Sequence, residues 1–129
     1  MFRVLVPVLA ILCAAPAAAA PDWRQSRDYE VRLSNFDIQP QTMQLRAGEP
    51  VRLRFVNISE AAHSFSAGEF FAKAQLRNRD KRLVSGGSID VPAGDVREVI
   101  VVPTAGRYRA RCGSVLHRIL GMSSEIIVE

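Results

Sequence analysis

Short runs in which apolar and charged side chains alternate recur through this chain, and a period of two confines them to extended strands with one buried face. In Val51-Arg52-Leu53-Arg54-Phe55 the apolar side chains take one face and Arg52 and Arg54 the other. Tyr108, Ala110 and Cys112 likewise share a face opposite Arg107, Arg109 and Arg111, and the same alternation marks 31–33 and 43–46. Turn formers separate these runs: Ala47-Gly48-Glu49-Pro50, Pro92-Ala93-Gly94-Asp95 and Thr104-Ala105-Gly106. Further strands are expected at 88–91, 96–102 and 124–129, and the run that begins at Val51 is expected to end near Asn57. Residues 70–76 have helix-forming composition and predict one short helix. The charged stretch 77–82 predicts an exposed loop closed by Gly86-Gly87. Seven or eight short strands with one helical excursion predict an all-β fold, a Greek-key β-sandwich of two sheets.

The first twenty residues, MFRVLVPVLAILCAAPAAAA, join one positive charge at Arg3, a short apolar run and a tail of alanines. That pattern is a secretory signal peptide; the apolar run is too short to span a bilayer. Cleavage is expected near 19/20, because Pro21 fits badly directly after the cut bond. Cys13 does not suit lipid attachment, since Leu12 before it is bulky where a small residue is wanted. Residues 21–27 form a polar lead-in, and 28–129 a single domain large enough to bury a core without disulfides. The expected mature protein is periplasmic, has no membrane span and is monomeric. Its net charge is modest, +4 for the whole chain, and does not argue for nucleic acid.

Removal of the leader leaves Cys112 as the lone cysteine, so no internal disulfide can form even in an oxidising compartment. The histidines are His63 and His117. Cys112-x4-His117-x4-Met122 carries three metal donors on one loop between two strands, and His63, about fifty residues upstream, is expected on a neighbouring loop. One thiolate, two imidazoles and one thioether make a donor set that suits copper in both Cu(I) and Cu(II): sulfur favours the reduced ion, and imidazole is tolerated by both. Taken singly, Cys112 and Met122 would more often be core residues. Zinc is a chemical alternative, but methionine is a poor ligand for it. A metal-free structural sandwich is another.

These residues resemble the cupredoxins, the blue (type 1) copper proteins. The resemblance runs through Asn57-x5-His63, the Tyr-x-Ala-x-Cys strand at 108–112, the stretch ending in Gly121-Met122, and the closing strand Glu125-Ile-Ile-Val-Glu129. It implies one copper ion, with Cys112 as thiolate ligand, His63 and His117 as imidazole ligands, and Met122 as a weak axial ligand. It also implies that His117 is the electron port. Many members carry Asn after the first histidine, where this chain has Ser64.

The function expected from these readings is an exported mononuclear copper protein that carries single electrons between redox partner proteins and is not an enzyme. The alternative is a periplasmic copper-trafficking or copper-buffering protein that exchanges the metal with donor and acceptor proteins. A copper oxidase would need a second, histidine-rich centre, and a dinuclear electron-entry site would need two cysteines; the expected mature chain, with two histidines and Cys112 as its one cysteine, supplies neither. Arg107, Arg109, Arg111 and Arg118 admit a reading as a docking rim for an acidic redox partner, but the first three equally make up the solvent face of one strand, and the strand face is the simpler. Phe65, Phe70 and Phe71 are expected in the core.

Overall fold

The computed structural model describes residues 11, 20–113 and 121–129. Nearly all of the expected leader, with Cys13, and the stretch that holds His117 and Arg118 lie outside the described residues.

Two five-stranded sheets face each other. The first is ordered β2 (Asp37–Gln39), β1 (Arg27–Ser34), β4 (Val51–Asn57), β8 (Val96–Val102), β6 (Gln75–Leu76); the second β3 (Thr42–Leu45), β10 (Ser123–Val128), β9 (Gly106–Arg111), β5 (His63–Ser66), β7 (Ser88–Val91). The chain crosses between the sheets repeatedly, so neighbours in space are often distant in sequence. Two of the pairings, β1 with β4 and β3 with β10, are parallel. The molecule is thus the expected all-β sandwich with one short α-helix, α1 (Gly68–Lys73).

Alternation in the sequence becomes inside and outside in the sandwich. Val51, Leu53 and Phe55 of β4 are buried while Arg54 is exposed, and on β9 Tyr108 and Ala110 are buried between exposed arginines. The inner faces meet in one core, in which Phe55 and Phe65 from opposite sheets lie 4.7 Å apart, ring centre to ring centre. Phe70 and Phe71 of α1 extend this aromatic packing, Phe70 reaching Tyr108 at 5.6 Å. The phenylalanines therefore fill the core, as expected. Gly87 permits α1 to start where it does, since a Cβ there would stand 2.6 Å from the Cα of Gly68.

Three local expectations need correction. The helix begins and ends earlier than 70–76, because Gln75 and Leu76 leave it to pair with Val102 and Val101 of β8. Residues 77–82 are exposed at Asn78, Arg79, Lys81 and Arg82 as expected, but they are not an irregular loop: Asn78–Leu83 winds into 3₁₀ turns, and Asp80 is buried. Its carboxylate accepts two bonds from Arg77, at 2.9 and 3.0 Å, and a third from the N–H of Ile100 at 2.9 Å. The segment thereby covers backbone at the edge of β8 that water would otherwise reach. Finally, His63 is the first residue of a strand, β5, and not part of a loop.

Candidate metal centre

The ends of β1, β4, β7 and β9 and the starts of β5, β8 and β10 gather at one pole of the sandwich, and the described candidate ligands sit there. Cys112 directly follows β9, and Met122 directly precedes β10. The N–H of Cys112 donates to the carbonyl of Met122 at 3.1 Å, so the antiparallel ladder of β9 and β10 continues one step to clamp both residues side by side. Their side chains are buried, Cys112 at 1% exposure and Met122 at 0%. His63 enters from β5, which pairs with β9 through Ser66 and Arg111. It is 3% exposed. His63 and Cys112 line one hollow of about 390 Å³ together with Ala62, Ser64, Asp90, Val91 and Pro92.

Buried Asn57 organises the approach to His63. Its amide donates to the carbonyls of Ala61 at 2.8 Å, Val91 at 3.0 Å and Pro92 at 3.2 Å. Its carbonyl oxygen accepts from the N–H and hydroxyl of Ser59. One side chain thus holds the connection from β4 to β5 against the end of β7, and Val91 of β7 stands opposite His63 in the ladder. In the sequence Asn57 marked the start of the Asn57-x5-His63 spacing; this bonding role was not read from it.

Ser64, which follows His63, also has a defined place. Its hydroxyl oxygen accepts the N–H of Gly113 at 2.6 Å and lies 3.8 Å from the sulfur of Cys112. Having accepted from Gly113, the hydroxyl has its own hydrogen to direct at sulfur. A Cβ at position 113 would stand 2.6 Å from this oxygen, so glycine is what lets the two segments meet. The exposed apolar side chains Phe36 and Ile58 stand at the same pole, Ile58 tied to Leu33 through its N–H at 2.9 Å.

No protein-family model matches the chain, and no curated protein matches its sequence. Solved structures do. The dithionite-reduced auracyanin of the photosynthetic bacterium Roseiflexus castenholzii superposes with a TM-score of 0.60 at 17% identity, over 81% of this chain and 98% of that one. Auracyanin B superposes with a TM-score of 0.57 at 19% identity, over 87% and 92%. The fold is that of the cupredoxins. At such identities the likeness is one of architecture. The donors must be judged on the cupredoxin scaffold as this chain builds it.

On that scaffold, one thiol, one imidazole and one thioether are drawn to the same water-poor pole. Soft sulfur with borderline nitrogen is a set that copper fits in both oxidation states. Among the described residues no three His, Cys, Asp or Glu side chains gather into a cluster. Met122 is not one of those types, and His117 lies outside the described residues.

Proposed function

We propose that the protein is an exported mononuclear type 1 copper protein that carries single electrons between redox partner proteins, the metal being held by His63, Cys112, His117 and Met122. The observation that carries this reading is the convergence of Cys112, His63 and Met122, from three separate strand ends, on one buried pole. Copper bound there would supply a one-electron couple. The chain's own part is to keep the donors fixed and dry. The bond from Cys112 to Met122 sets two of them against the β-ladder, Asn57 sets the approach to the third, and burial excludes water. Donors that need not move between oxidation states keep reorganisation small. Burial also favours a carrier of electrons over a carrier of copper, because metal handed between proteins must be reached by the receiving ligands. On this reading the protein converts no substrate and is not an enzyme.

We further propose that residues 1–20 are a signal peptide cleaved near 19/20 and that the domain spans 28–129, which would place the mature protein in the periplasm. No helix among the described residues is long and apolar enough to cross a membrane.

Addition of Cu(II) to the purified protein is expected to give an intense blue thiolate-to-copper band that bleaches with reductant and returns on reoxidation. Cys112→Ser should abolish the colour. Copper lost at each reduction would favour the trafficking role, and no blue band at all would reject the type 1 site.

A further inference from the structure

The outer faces of the two sheets treat their arginines differently. On the first sheet, Arg32 pairs with Glu30 at 3.3 Å, Arg52 with Asp28 at 3.4 Å and Arg54 with Glu98 at 3.4 Å, so that face neutralises itself. On the second, Arg107 pairs with Glu125 at 3.5 Å, but Arg109 and Arg111 form no ion pair among the described residues. Both are exposed. They flank a hollow of about 330 Å³ whose other walls are Ser66, Gly68 and Glu69. Glu69 lines that hollow and Glu125 stands opposite Arg109 in the ladder, yet neither carboxylate pairs with Arg109 or Arg111, Glu125 being taken by Arg107. Arg109 also borders a second hollow, of about 400 Å³, with Thr42, Ser123 and Glu125.

Position gives this pair of charges a meaning that their number does not. Arg79, Lys81 and Arg82 are also exposed and form no ion pair among the described residues, but they lie at the edge of the other sheet. Arg111 is covalently next to Cys112, and its ladder partner Ser66 is two residues from Ser64, whose hydroxyl lies beside the cysteine sulfur. A partner held at Arg109 and Arg111 would therefore stand one residue away from the candidate metal centre.

We propose that the outer face of β9, through Arg109 and Arg111, is the docking surface for an acidic partner protein whose carboxylates enter the hollow beside Ser66. Planar guanidinium forks match carboxylates in a two-point geometry, and complementary charge of this kind sets encounter rate and orientation more than final affinity. The redox character of that partner rests on the function proposed above; the docking itself does not require copper.

The test is titration of the isotope-labelled protein with poly-L-glutamate, followed through backbone amide resonances, with and without copper. Saturable shifts are expected in residues 106–112 and 64–69, weakening about tenfold between low and physiological salt. Arg109→Gln with Arg111→Gln should reduce the affinity about tenfold, Arg109→Lys with Arg111→Lys should reduce it less, keeping the charge while losing the two-point fork, and Arg79→Gln with Arg82→Gln should leave it unchanged. Equal losses in the two glutamine double variants would reduce the effect to net charge and overturn the proposal. Shifts confined to other strands would also overturn it. So would tighter arginine-dependent binding to phosphatidylserine vesicles, which would point to a membrane surface. A protein that never turns blue but passes this titration refutes the copper reading alone; a blue protein that fails it refutes the docking surface alone.

Discussion

Ser64 shows how much a single hydroxyl can govern. It joins two segments that are 49 residues apart, accepting from Gly113 and standing against the sulfur of Cys112. A hydrogen bond given to a coordinated thiolate withdraws electron density from it and favours the reduced metal. Ser64→Ala in the copper-loaded protein should therefore lower the reduction potential by tens of millivolts, equivalent to about 1 kcal/mol, as voltammetry would measure. Asn57 acts on shape. Asn57→Ala strands buried carbonyls and the N–H of Ser59, and it should destabilise the fold by about 2–3 kcal/mol. Thermal unfolding would register that loss, and the variant should also release copper to a chelator faster than the parent. The types and spacing of the candidate ligands were legible in the sequence, but these two roles were not. Each depends on a contact that closes only after distant strands have paired.

At the scale of elements, the period of two proved the most readable signal, because a strand half buried on a core must repeat it. The strands Val51–Asn57 and Gly106–Arg111 carry it directly, whereas Val96–Val102 is legible as an apolar run bounded by turns. What the sequence hid were elements defined by their neighbours. The strand His63–Ser66 has two serines facing outward and becomes a strand by pairing with β7. The charged stretch after Leu76 resembles a solvated loop until Asp80 finds Arg77 and the N–H of Ile100. Asp80→Ala leaves that N–H and the Arg77 side chain unmatched and should cost about 3 kcal/mol, read as a lower urea midpoint. The turn between β7 and β8 carries a milder device. The hydrogen bond from Arg97, followed by the one from the N–H of Val96, holds the Asp95 carboxyl below the usual carboxylate range. A group held lower in the folded state stabilises fully above its unfolded value, near pH 4. That stabilisation is lost as pH falls through the folded value. Asp95→Asn should flatten acid unfolding slightly in that window and leave the curve at pH 7 unaltered in slope.

For the whole molecule, cohesion comes from two sheets closing on one another. The chain's other cysteine, Cys13, falls in the proposed leader, so the mature protein has no second thiol with which Cys112 could form an internal disulfide. The thermal midpoint of the copper-free protein should therefore be the same with and without dithiothreitol; a drop on reduction would reveal a cross-link that this architecture does not use. The two poles also divide the labour. Donors and the Asn57 network lie at one, while the other is closed by Pro50 receiving the N–H of Arg27 and Glu129 receiving that of Ala47. The bond between Cys112 and Met122 has a consequence for how such a protein can change. Because Cys112 and Met122 are fastened to each other by the ladder, the sandwich beneath fixes the position of both sulfur donors by itself. A segment of another length that keeps Gly113 and an imidazole could therefore be grafted between those two anchors, and only the chemistry at the pole would be retuned while the sandwich of buried side chains keeps its shape.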